Sequence, residues 1–301
     1  MKKTIPLVLA LALLLCGCQT QAQTTQIAAT TLPVYEFTSL LCQDTPLEVG
    51  QLITQSVSCL HDYTLNVAQV KTAEAAQTIV LSGAGLEEFM EDILDGADPI
   101  DASQGIELIC PDEAHDHHDH EAHSASDEHD DHGHHHEQDP HIWLSPKHAM
   151  TMAENICAGL CELYPQYSDT FQNNLDSLLA RLEALQAYGE ANLKNLACRE
   201  LITFHDGFSY FAQAFDLEIL AAVEEESGSE ASAKDLIELI RLVEAHALPA
   251  VFIETNGSSS AAQIIAAETG AKVYTLDMAM AADSYFTAMY HNIDTIQEAM
   301  G

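Results

Sequence analysis

Positive charge is scarce in this 301-residue chain: 10 Lys+Arg stand against 47 Asp+Glu, a formal net charge of −37 at pH 7. That deficit excludes nucleic-acid binding through a basic surface, because phosphate contacts need Lys and Arg. Long apolar runs are missing too. The longest, residues 5–15, falls short of the roughly 18–20 residues that span a bilayer as a helix. There is no C-x-x-C pair, which disfavours a Cys-rich metal site. Nor is there an H-E-x-x-H motif, which argues against a zinc-protease helix. Global disorder is also excluded, since 47% of residues are hydrophobic and only 19% charged. The length suggests about two compact units, each able to bury its own core.

What is abundant is histidine, with 16 residues, 10 of them between His115 and His136. This segment, 112–138, is rich in acids and imidazoles and has no apolar periodicity, so it cannot build a core. His117, His118, His120, His134, His135 and His136 are candidates for auxiliary, loosely held metal ions. Acid and imidazole concentrated together point towards cations.

The N-terminus reads as an export signal over residues 1–17, with Lys2 and Lys3 ahead of the apolar run. The run ends in Leu15-Cys16-Gly17-Cys18, which resembles the lipobox of bacterial lipoproteins and marks Cys18 as the lipid anchor. The expected location is therefore outside the cytoplasm, on the membrane through that lipid. Beyond Cys16 and Cys18, the six remaining cysteines (42, 59, 110, 157, 161 and 198) sit mostly in apolar runs and read as buried thiols.

Short β-rich runs alternate with helical patterns, the grammar of an α/β fold with parallel sheets. Strands are expected at 27–30, 48–53, 78–81 and 106–109, then at 200–203, 217–222, 250–253 and 272–276. Helices are expected at 63–76, 86–94, 208–215, 233–245, 259–268 and 284–300, with Ser232 as an N-cap and Gly270 as a stop. Residues 167–196 keep a near-helical apolar spacing through Phe171, Leu175, Leu178, Leu179, Leu182, Leu185 and Leu193. Such a helix, about 30 residues, would run roughly 45 Å. The expected architecture is two lobes of roughly four-stranded parallel sheet, 18–165 and 198–301, joined by one long helix, 166–197. A ligand would lie in the cleft between them, at the C-terminal ends of strands.

Three histidines share a position at that edge. His61 follows the second strand, His141 precedes the helix starting near Pro146, and His205 ends the strand at 200–203. One such His is ordinarily a turn or cap; three at matching junctions beside a His-rich tract point to a metal. His148, His246 and His291 fall within helical patterns and are expected to face solvent.

The same residues carry a family resemblance. His61-Asp62-Tyr63-Thr64-Leu65, then Asp139-Pro140-His141-Ile142-Trp143-Leu144-Ser145-Pro146, then Thr203-Phe204-His205-Asp206-Gly207-Phe208-Ser209-Tyr210-Phe211 resemble the zinc/manganese substrate-binding lipoproteins of bacterial ABC importers. The resemblance covers essentially the whole mature chain. It implies two parallel-sheet lobes joined by a rigid helix, with the metal held between them by His61, His141, His205 and Asp277. A His-rich acidic loop before the second ligand marks the zinc-specific branch. Ser145 stands where the family commonly has Asp, and Met278 where it often has Pro. The fourth position is open to Asp277, Glu254 or water; the resemblance favours Asp277 and leaves Glu254 supporting the site. Asp206, next to His205, is a candidate for orienting that imidazole.

Three imidazoles and a carboxylate suit tetrahedral Zn²⁺, whereas Mn²⁺ prefers more oxygen, and the manganese relatives carry a carboxylate where this chain has His205. The implied function is Zn²⁺ capture and delivery to the permease of an ABC importer, by a monomer, without catalysis. Two other readings stay in view: a zinc hydrolase with an open metal position, and an extracellular zinc buffer or chaperone that relies on the His-rich loop.

Overall fold

A computed structural model describes residues 25–55, 60, 63–109, 138–224, 231–280 and 283–301. The signal region with Cys18, His61 and the ten-histidine tract lie outside the described residues.

The first lobe begins with β1 (Ile27–Ala29), α1 (Leu32–Leu41), β2 (Val49–Gln51) and α2 (Val67–Ala75). It continues through β3 (Thr78–Leu81), the single turn α3 (Glu91–Leu94), β4 (Ile100–Asp101) and α4 (Pro146–Leu163). After α5 (Ser168–Leu193), the second lobe runs β5 (Glu200–His205), α6 (Ser209–Ala214), β6 (Glu218–Glu224) and α7 (Ala233–His246). It closes with β7 (Ala250–Glu254), α8 (Ser260–Thr269), β8 (Lys272–Leu276) and α9 (Tyr285–Met300). Both sheets are four-stranded and parallel, in the orders β2-β1-β3-β4 and β6-β5-β7-β8. In each, the order reverses between the first and third strands, the switch point at which parallel α/β sheets commonly place a ligand.

Local chemistry accounts for several helix ends. Asn66 caps α2 in a capping box with Gln69, and Ser232 caps α7 in another with Asp235. Gly270 ends α8 in the left-handed conformation, φ +80°. Ser145 is the N-cap of α4, with Pro146 at its first position. That explains the departure from the family pattern: Ser and Asp cap helices almost equally well.

Three expectations need correction. The fourth strand is Ile100–Asp101, paired with Val80 and Leu81, not 106–109. Asp101 accepts hydrogen bonds from the Ser103 amide and hydroxyl, and Gly105 at φ +75° turns the chain, so 106–109 has no regular secondary structure. The helix expected from residue 63 begins only at Val67, because Asn66 supplies the cap. Residues 86–94 form a 3₁₀ turn, Glu88–Met90, and one helical turn rather than a continuous helix.

The long helix is present as 26 residues, about 39 Å at 1.5 Å per residue. It buries Phe171, Leu175, Leu178, Leu182, Leu185 and Leu193 of the stripe read from the sequence, and leaves Leu179 half-buried. Asn174 donates to the carbonyls of Leu41 and Gln43 in the first lobe. Gly189 lies so close to Phe215 of the second that a Cβ would sit 2.2 Å from the ring. One helix therefore packs on both lobes.

Candidate metal centre

The second sheet aims its histidine by simple alternation. Along β5, Ile202 and Phe204 pack into a small core under α7 and α8, while Leu201 joins the main core on the opposite face. His205, two residues on from Thr203, falls on the Leu201 face, towards the first lobe. Glu254 falls on the same face of β7, since Ala250 and Phe252 belong to the main core and Thr203 pairs with Phe252. His205 and Glu254 thus end adjacent strands at the second lobe's switch point, and both are buried.

His141 approaches from the first lobe, one residue before the 3₁₀ turn Ile142–Leu144 that leads into α4. It is 3% exposed and His205 is 2% exposed. Their Nε2 atoms lie 3.4 Å apart, with the rings edge to face. Two imidazole nitrogens bound at 2.0–2.1 Å to one tetrahedral Zn²⁺ would lie about 3.3–3.4 Å apart. The pair therefore has the spacing that one shared ion requires.

The tautomer of His141 follows from its other nitrogen. Nδ1 is 2.8 Å from Oδ1 of the buried Asp139, and the His141 amide donates to the same oxygen at 2.9 Å. A carboxylate only accepts, so Nδ1 carries the hydrogen and Nε2 keeps its lone pair for a ligand. Asp139 was not singled out in the sequence. An acid two residues before a candidate ligand was the available signal.

Asp277 follows β8 and is buried. Its Oδ1 accepts from the Ala279 amide at 2.7 Å, holding Ala279 at φ +57°. Asn292 of α9 fixes its backbone from both sides, accepting from the Asp277 amide and donating to its carbonyl. The Met278 carbonyl accepts from Trp143 Nε1 at 2.8 Å, so this turn is tied to the His141 segment. Gly207 closes the remaining side: a Cβ there would meet Met278, His205 and His141 at 2.5, 2.8 and 3.1 Å. Its lack of a side chain lets these groups converge. Asp206 is half-buried beside them.

The geometry thus joins His141 to His205 and brings the Asp277 turn alongside. Among the described residues no three His, Cys, Asp or Glu side chains gather at one point, and His61, the remaining sequence candidate, is outside that set. His148 is a correction: it is half-buried, edge to face with Tyr210 at 5.2 Å, and burial lowers its pKa. His246 and His291 are exposed, as expected, with His246 paired to Glu200 at 2.9 Å.

More contacts tie the lobes around the pair. The Tyr285 hydroxyl donates to the Trp143 carbonyl, and Glu36 of α1 accepts from the Ser284 hydroxyl and the Tyr285 amide at the start of α9. In the first lobe, the switch point is filled rather than open. Glu87 lies beneath it, accepting from the Thr30 hydroxyl and the Ser82 and Gly83 amides, and burial pushes its pKa up to about 7. No described helix is long and apolar enough to cross a membrane.

Two parallel-sheet lobes on a backbone helix, with imidazoles meeting at their junction, define a two-lobed metal-binding protein. The comparisons narrow this. Residues 27–299 match the model of the family ZnuA, zinc-uptake complex component A periplasmic, and the chain belongs to that family. It is 29% identical over 317 residues to the zinc-binding lipoprotein AdcA of Streptococcus pneumoniae serotype 4 (strain ATCC BAA-334 / TIGR4). That match covers 98% of this chain but 61% of the relative, which is the longer protein. A crystal structure of ZnuA superposes with a TM-score of 0.76 at 28% identity, covering 91% of this chain and 99% of that one. The Zn(II)-bound ZnuA-like domain of S. pneumoniae AdcA gives 0.73 at 25% identity, covering 91% and 98%.

Proposed function

We propose that this protein captures Zn²⁺ between its lobes and passes it to the permease of an ABC importer. His61, His141 and His205 are the nitrogen ligands and Asp277 the fourth, with Glu254 and Asp206 supporting the site. The observation that carries the reading is the 3.4 Å meeting of two buried imidazole nitrogens from different lobes. Nitrogen at the His205 position suits Zn²⁺ over Mn²⁺. Four protein ligands leave no open position for a substrate, so the protein binds rather than catalyses.

The mature chain begins at a lipidated Cys18, which holds a monomer on the outer face of the membrane. The two lobes comprise residues 18–165 and 198–301, with the helix at 166–197 between them. The histidines of 112–138 gather Zn²⁺ near the cleft, where the surrounding acidic residues attract it.

Metal analysis of a variant lacking residues 113–137 tests this reading. One tight zinc per chain should survive, and His61→Ala, His141→Ala or His205→Ala should each remove it while His246→Ala does not. Loss of most zinc binding on the deletion alone would favour the buffer reading instead. Equal affinity in all four point variants would sink the site.

A further inference from the structure

Another link between the lobes lies one step behind the imidazole pair. Tyr210, in the first turn of α6, is fully buried at 0% exposure. Its hydroxyl accepts from the Ile109 amide and donates to the Asp139 carbonyl, both at 2.9 Å. Ile109 and Asp139 are the two stems of the histidine-rich segment, and the Asp139 amide donates to the Ile109 carbonyl at 3.0 Å. One hydroxyl thus closes the base of that segment. The other end of Asp139 is the carboxylate that fixes the His141 ring. Tyr210 also lies five residues beyond His205, on the same strand–turn–helix unit. The imidazole pair is therefore spanned twice: directly from Nε2 to Nε2, and indirectly from Tyr210 through Asp139 to His141.

We propose that Tyr210 is a positioning residue for zinc capture, acting through Asp139 to hold the orientation and tautomer of His141 against His205. The inference rests on the zinc-binding reading above and adds to it the group that sets the ligand geometry. The physical reason is register. The buried Asp139 carbonyl must be hydrogen-bonded, and Tyr210 serves it and the part-buried Ile109 amide with one atom. If the hydroxyl is removed, Ile109 and Asp139 lose a shared partner, the stem shifts to find others, and the Asp139 carboxylate moves with it. The His141 ring is then free to take the tautomer with hydrogen on Nε2, which cannot ligate. Partners of this kind behind a metal ligand are worth about 10- to 100-fold in metal affinity.

The test uses the mature chain with Tyr210→Phe, Asp139→Asn and the double variant. Zinc affinity is read by chelator competition and the His141 tautomer by ring ¹⁵N shifts of the zinc-free protein. The expected result is a loss of about 10- to 100-fold for Tyr210→Phe, with Nε2–H signal appearing at His141. Because both residues act on one ring, the double variant should lose less than the product of the single losses. A lower melting temperature with unchanged affinity and unchanged tautomer would make Tyr210 merely structural and overturn the proposal. So would strictly multiplicative losses. Absence of any tight zinc site in the parent chain would overturn both this inference and the functional reading beneath it. Tight binding in the parent with no Tyr210 effect would overturn this one alone.

Discussion

Replacing Gly207 with alanine places a methyl group among three groups at the proposed metal centre. The new Cβ would lie 2.5 Å from Met278 Cε, 2.8 Å from His205 Cδ2 and 3.1 Å from His141 Cε1. The methionine tip can swing away at little cost, being the free end of an unbranched chain. The His205 ring cannot. It ends a paired strand, is buried, and must recede by about 0.6 Å to reach an ordinary 3.4 Å contact. Zinc–ligand distances tolerate only about 0.2 Å. Without metal only packing opposes that shift, whereas bound zinc would hold the ring as well, so the added strain falls on the zinc-bound form. Overpacking of this kind costs about 1–3 kcal/mol, which corresponds to a rise in Kd of about 5- to 150-fold. Chelator competition on the variant lacking 113–137 measures it, with thermal melting of the metal-free protein as the control. A Kd within twofold of the parent would refute the reasoning, because it would mean His205 is free to move at no cost.

Glu87 predicts a pH effect. Its pKa of about 7 when folded lies above the usual carboxylate value of 4.5, so the folded state holds the proton more tightly. Its contribution is therefore complete below pH 4.5 and is lost as pH rises through 7, a span of about 3 kcal/mol. Urea denaturation from pH 4.5 to 8 should show a steeper stability loss in the parent than in Glu87→Gln; parallel curves would contradict it. Glu36→Gln should weaken the tie to the start of α9 and cost about 1–2 kcal/mol in the same assay, since a charged acceptor is lost at a helix N-terminus. Cys42 and Cys157, whose thiols burial pushes up to about 12, should resist alkylation at pH 8 until the protein unfolds. Labelling of either in the folded protein, read by mass spectrometry, would show that the core opens locally.

Much of this architecture was legible before any coordinates. Strand patterning gave seven of the eight strand positions closely, and the apolar stripe of 167–196 gave α5, because both rest on local periodicity that burial enforces. The fourth strand was misread at 106–109, since that run is apolar enough for a sheet but is turned away by Asp101 and Gly105. His148 was misread as solvent-facing because a helical pattern does not say that Tyr210 from the other lobe will cover it.

The sequence by itself determined the α/β grammar, the acidic histidine-rich segment, and which residue types could meet a zinc ion. It did so because composition and spacing are properties of one chain segment at a time. Only the tertiary structure decided that His141 and His205 meet at 3.4 Å, that Asp139 sets one tautomer, and that Gly207 leaves them room. The Asp139–His141 contact is local, two residues apart, but the meeting of the imidazoles and the room at Gly207 depend on contacts across 64 residues of sequence and between two lobes, where packing fixes the distance.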